Sequence, residues 1–160
     1  MDFIPLHLNS GYSFLQSGIL FNKLSKKLNE LNYKYVGLTD LNVLFGFPSF
    51  NEEMIKDNIK PIFGMDLKIN NNLFSLFVQN ETGYRNLCVI STFLEKRDGI
   101  CNDFAEIKDF LDGLICVFST KSSSCFDHVN QELFEKYIKD ISSKFNNFYI
   151  GLEIYDSFDV

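Results

Sequence analysis

The feature that most constrains this chain is its alternation of short apolar runs with amphipathic stretches of ten or more residues. Phe3–Leu8, Tyr35–Thr39, Ile62–Ile69, Leu73–Val78, Leu114–Phe118 and Tyr149–Ile154 read as strands, apolar enough to be buried. Between them, Leu20, Leu24, Leu28 and Leu31 recur at helical spacing with Lys23, Lys26, Lys27 and Glu30 opposite, which predicts a helix over 20–32. Phe47, Phe50, Met54 and Ile55 mark a second helix, ended ahead of Pro61. Thr82 is a candidate N-cap for a third, with Tyr84, Leu87, Cys88, Ser91 and Leu94 on one face. A short helix follows from Asp103, and Leu133, Phe134, Tyr137, Ile138 and Ile141 define a last long one. Asn70–Asn72 suits a left-handed turn and makes one hairpin. Strands alternating with helices predict an α/β fold, a mostly parallel sheet or barrel.

Composition narrows the function. At 160 residues and 46% hydrophobic, the chain is one domain or a large piece of one, with a real core. Asp and Glu outnumber Lys and Arg by 21 to 15, a net charge of −6, so the basic footprint of a self-sufficient DNA binder is missing. No apolar run approaches the 18–20 residues of a membrane span, and Met1–His7 is unlike a signal peptide. Cys88, Cys101, Cys116 and Cys125 include no C-x-x-C pair and are expected to be reduced thiols of a cytoplasmic protein. The last strand has no helix after it, so residues 1–160 are expected to be the N-terminal portion of their domain.

In α/β folds the chemistry gathers at the C-terminal ends of the strands. Here those ends carry His7 and Asn9, Asp40 and Leu41, Asp66, Ser119 and Thr120, and Glu153 onward. The chain has two histidines, and His128 lies in a polar stretch, so one imidazole and two or three carboxylates are left to converge. A magnesium site of carboxylates is conceivable; a multinuclear zinc or manganese centre is hard to build from this set. The alternative is structural: Asp40 hydrogen-bonds a loop backbone and His7 is a satisfied core polar group. No G-x-S-x-G, Walker-type or G-x-G-x-x-G motif occurs, and Cys116 sits in an apolar strand. The Ser10–Ser13 and Ser17-Gly18 loop offers backbone N–H groups to an anion, or is a plain turn.

Several collinear segments resemble the polymerase-and-histidinol-phosphatase (PHP) domain, most closely the form at the N-terminus of bacterial DNA polymerase III alpha subunits. They are Phe3–Leu15, Val36–Asp40 with Leu44-Phe45-Gly46, Ile59–Asp66, Asn80–Leu87, Gly113-Leu114-Ile115 and Tyr149–Glu153. The resemblance implies a PHP domain over 1–160, folded as part of a distorted (β/α)7 barrel. It also implies a site where family members bind zinc or manganese. This chain departs from that site: Pro5, Asn9, Leu41 and Ser157 stand where the family places histidines, and Asp66 stands where it places a glutamate. His7, Asn9, Asp40, Leu41, Asp66 and Glu153 are therefore expected to be vestigial positions that hold no metal, with no cofactor in this segment.

The function this implies is a non-catalytic structural and interaction platform in DNA replication. The parent chain would be a DNA-directed DNA polymerase, a nucleotidyltransferase whose catalytic palm lies after the PHP domain. Expected partners are the remainder of the alpha chain and the proofreading exonuclease subunit, with DNA reached only through the parent polymerase. The alternative is a metal-dependent phosphoesterase of the same superfamily, acting in proofreading or on histidinol phosphate.

Overall fold

The computed structural model describes residues 3–13, 17–120 and 131–152. Its helices are α1 (Phe21–Glu30), α2 (Phe47–Lys56), α3 (Glu81–Glu95) and α4 (Gln131–Ser142). Its strands are β1 (Tyr35–Leu41), β2 (Lys60–Ile69), β3 (Asn72–Val78), β4 (Leu114–Ser119) and β5 (Asn147–Gly151), hydrogen-bonded in the order β1-β2-β3-β4-β5. β1 pairs with β2 and β4 with β5 in parallel, whereas β3 and β4 run antiparallel. The α/β class and the hairpin turn at Asn70-Asn71 hold, both residues having positive φ. The sheet is mixed, however, and these strands form no closed barrel among the described residues. The chain falls into two compact units, Met1–Asp66 and Leu67–Val160, although no shift in composition marks a boundary.

In the first unit, β1 is buried from Val36 to Asp40. Phe47, Phe50 and Met54 of α2 are buried, with Phe63 of β2 against Phe47 and Phe50 at centroid distances of 4.8 and 6.3 Å. The α1 stripe is narrower than its leucines suggest: Ser25 and Leu28 are buried, while Leu20 and Leu31 are exposed at its ends. Phe3–Leu8 is not a strand. Its Pro5 and Leu8 carbonyls accept from Gly37 N (2.7 Å) and Thr39 N (2.8 Å) of β1. Acceptors three residues apart thus meet donors two apart, and Pro5 has no N–H to give, so a regular ladder fails.

In the second unit, Phe74 of β3 packs edge-on to Phe104 (4.9 Å) and tilted against Phe118 of β4 (5.2 Å), all three fully buried. Truncation there deletes both ring contacts and leaves a cavity, so Phe74→Ala is expected to cost about 3–5 kcal/mol, read from the urea midpoint. The N-cap of α3 is Asn80, not Thr82. Asn80 is extended and its side chain accepts from Gly83 N at 3.0 Å, whereas Thr82 already lies inside the first turn. There Gly83 meets Gly113, which is left-handed at φ +72 and leads into β4; a Cβ on Gly83 would stand 1.8 Å from the Gly113 carbonyl oxygen. The helix expected after Asp103 is two short 3-10 turns, Phe104–Glu106 and Lys108–Phe110, the first capped by Asp103. No helix among the described residues is long and apolar enough to cross a membrane.

Candidate functional site

The site forms inside the first unit, where β1 ends beside Asp66 of β2. Parallel pairing sets Leu41 opposite Asp66 and Asp40 opposite Met65, so the two carboxylates are one residue out of step and alternate to opposite faces of the strand pair. Both are buried, Asp40 completely and Asp66 to 3% exposure. The N-terminal segment runs along β1 to reach them. It passes so close to Gly37 that a Cβ there would lie 2.1 Å from the Leu6 carbonyl oxygen, so only glycine fits.

The segment then delivers a series of donors. His7 Nε2 lies 2.7 Å from Asp66 Oδ2. Asn9 Nδ2 donates to the Thr39 carbonyl oxygen and, at 3.4 Å, to Asp66 Oδ2. Ser10 gives its backbone N–H to Asp40 Oδ1 and its hydroxyl to Asp40 Oδ2, each at 2.6 Å. Ser13 gives its hydroxyl to Asp40 Oδ1 at 2.7 Å, and the Ser13 Oγ in turn accepts from Leu41 N at 3.1 Å. The turn closes on itself through Ser13 N to Ser10 O at 3.0 Å. Asp40 thus accepts three hydrogen bonds, a charge-assisted set shielded from water.

Of the positions singled out in the sequence, His7 and Asn9 reach Asp66, which pairs across from Leu41, while Asp40 is held apart from them by Ser10 and Ser13. Leu41 brings hydrocarbon where a donor would be needed. His7 is satisfied, as the structural reading expects, but it is no core residue: its side chain is 40% exposed against 4% for Asp66. Glu153, Ser157, His128 and Cys125 lie outside the described residues. Among the described residues, no three His, Cys, Asp or Glu side chains are placed to hold one metal ion.

The Ser10–Ser13 loop does present an N–H to an anion, but the anion is the chain's own Asp40. The structural reading, in which Asp40 bonds a loop backbone, holds through Ser10 N; the two serine hydroxyls that join it are what sequence reasoning missed. Beside the loop opens a cavity of about 320 Å3 walled mainly by Tyr12, Ile19, Leu20 and Phe21, an apolar surface ill suited to phosphate. Cys88, Cys101 and Cys116 are free thiols. Burial pushes the thiols of Cys101 and Cys116 up, which keeps them protonated and poor nucleophiles.

This geometry belongs to a known kind of domain. Residues 5–157 match the family model of the PHP domain. The DNA polymerase III subunit alpha of Rickettsia bellii is 30% identical over 168 aligned residues, which take in 97% of this chain and 14% of that protein. That of Helicobacter pylori strain J99 is 38% identical over 102 residues, 56% of this chain and 8% of that protein. The chain therefore spans a small fraction of the length of the curated relatives it matches. Among solved structures, a candidate metal-dependent phosphoesterase from Bifidobacterium adolescentis aligns with a TM-score of 0.61 at 8% identity, covering 92% of this chain and 76% of that one. An amidohydrolase from Chromobacterium violaceum aligns at 0.63 and 11% identity, covering 92% and 75%. With its motifs in order, its fold shared and nearly its whole length matched, the chain belongs to the PHP domain family, and within it is similar to the PHP region of polymerase III alpha subunits.

Proposed function

We propose that this chain is a non-catalytic PHP platform of a DNA polymerase III alpha subunit, contributing to replication by holding and presenting other parts of the polymerase. The observation that supports this reading is the state of Asp40. Both of its oxygens accept from Ser10 and Ser13, so the carboxylate is engaged within the fold. Asn9 turns its amide N–H toward a backbone carbonyl, and Leu41 has no donor atom. The donors among the described residues do not fit a zinc or manganese centre, which needs several unengaged nitrogen and oxygen ligands about one point. Its partners on this reading are the rest of the alpha chain and the proofreading exonuclease subunit, in the cytoplasm, with DNA engaged by the parent polymerase.

The test is elemental mass spectrometry of the purified chain after dialysis without chelator. No stoichiometric zinc, manganese or iron is expected. One or more ions held per chain would overturn the platform reading. The second reading, a metal-dependent phosphoesterase, draws on the half-exposed His7 paired to Asp66 beside the end of β1. It requires manganese-dependent hydrolysis of a nitrophenyl phosphate, lost in Asp66→Ala; absence of turnover removes it.

A further inference from the structure

We propose that α1, with the cavities at its two ends, is a docking surface for an acidic peptide segment that carries two apolar side chains. Charge points to the acidic partner. The chain as a whole has 21 acidic residues to 15 basic ones, yet the stretch 20–35 carries Lys23, Lys26, Lys27 and Lys34 against a single acid, Glu30. All four lysines are exposed. Glu30 pairs with Lys27 at 2.8 Å, and Lys23, Lys26 and Lys34 enter no ion pair among the described residues. Lys60 adds a fifth positive charge, its ammonium 5.5 Å from the centre of the Tyr35 ring.

Geometry supplies the two anchor points. Leu20 and Leu31, which flank α1, are 56% and 53% exposed, apolar surface that a partner would cover. At about 100° per residue, Leu20, Lys23, Lys27 and Leu31 fall within about 80° of one another around the helix, and Lys26 falls outside that stripe. The stripe joins two hollows. At Leu20 lies the cavity of about 320 Å3 described above. At Leu31 lies one of about 270 Å3, lined by Phe3, Ile4, Leu31, Tyr33, Lys34 and Tyr35. Leu20 and Leu31 are separated by about 16 Å of helix, a span that an extended peptide covers in about five residues. Lysines between two apolar hollows match acids between two apolar anchors. A nucleic-acid strand would instead meet leucine at both ends of the stripe, where its phosphates need cations.

Such a surface rests on the platform reading and deepens it by giving one partner a chemistry. Metal content tests that reading and peptide binding tests this surface, so the two fail separately. The probe is a fluorescein-labelled peptide with two leucines separated by four glutamates, titrated with the full chain at low salt and followed by anisotropy. Saturable binding with a dissociation constant of about 10–100 μM is expected, weakening about tenfold at high salt. A probe with serine in place of both leucines is expected to bind about tenfold more weakly, a comparison that needs no protein variant to fold. Lys23→Glu is expected to weaken binding of the leucine probe about tenfold, and Lys26→Glu, the same change of charge off the stripe, about twofold. Absence of saturable binding, undiminished binding of the serine probe, equal losses in Lys23→Glu and Lys26→Glu, or tighter binding of oligothymidylate than of the peptide would each overturn the surface.

Discussion

Gly83→Ala is expected to be among the most damaging single-methyl additions in this chain, costing about 3 kcal/mol of unfolding free energy. The new Cβ would stand 1.8 Å from the Gly113 carbonyl oxygen and 2.5 Å from its carbon, and backbone does not yield as a side-chain tip does. Relief would have to come from α3 or from the entry to β4. Moving either breaks the Asn80 cap on Gly83 N or the Gln79 N to Gly113 O bond at 3.0 Å. Gly11 supplies the control: nothing lies within 4 Å of its would-be Cβ, so Gly11→Ala should stay within about 0.5 kcal/mol of wild type. Urea titration of the two variants decides it. Equal midpoints would mean that the close approach of Gly83 to Gly113 is not a feature of the folded chain.

Asp40→Ala is expected to cost about 4 kcal/mol, because it strands three buried donors at about 1–3 kcal/mol each, not all lost in full. The sign carries as much information as the size. A carboxylate kept for catalysis is commonly held at some expense to stability, and its removal is then neutral or stabilising. A carboxylate kept for structure destabilises when removed. Asp40→Asn should fall between, since the amide oxygen still accepts while the amide nitrogen confronts a donor. A stabilised Asp40→Ala, found by thermal or chemical unfolding, would restore Asp40 to a functional role.

Most elements were legible in the sequence because each rests on local spacing. The buried run of β1, the stripe of Phe47, Phe50 and Met54 and the turn at Asn70-Asn71 each declare themselves within ten residues. What failed depended on partners. Phe3–Leu8 has a strand's composition, yet its carbonyls match β1 out of step. Leu20 and Leu31 have a core residue's hydropathy, yet α1 turns them outward. Thr82 suits an N-cap, but Asn80, two residues earlier, reaches the same turn. At the candidate site, the sequence placed His7 and Asp66 close together, and they meet, although His7 lies on no strand and Asp66 lies within β2. That Asp40 bonds a loop backbone was legible as well, but which loop supplies it and the two serine hydroxyls were not, because these bonds join residues 27 and 30 apart in the chain and no spacing rule pairs them.

Among the described residues, left-handed backbone is carried by Asn32, Asn42, Asn58, Asn70, Asn71 and Asp98 as well as by Gly99 and Gly113. Most of these turns therefore use a residue with a side chain where glycine is the commoner choice. Asparagine tolerates that conformation while visiting fewer others, so the denatured chain has less backbone freedom to surrender at each of them. The reversals in this domain are accordingly biased toward their final form in the unfolded ensemble, before any sheet exists to hold them.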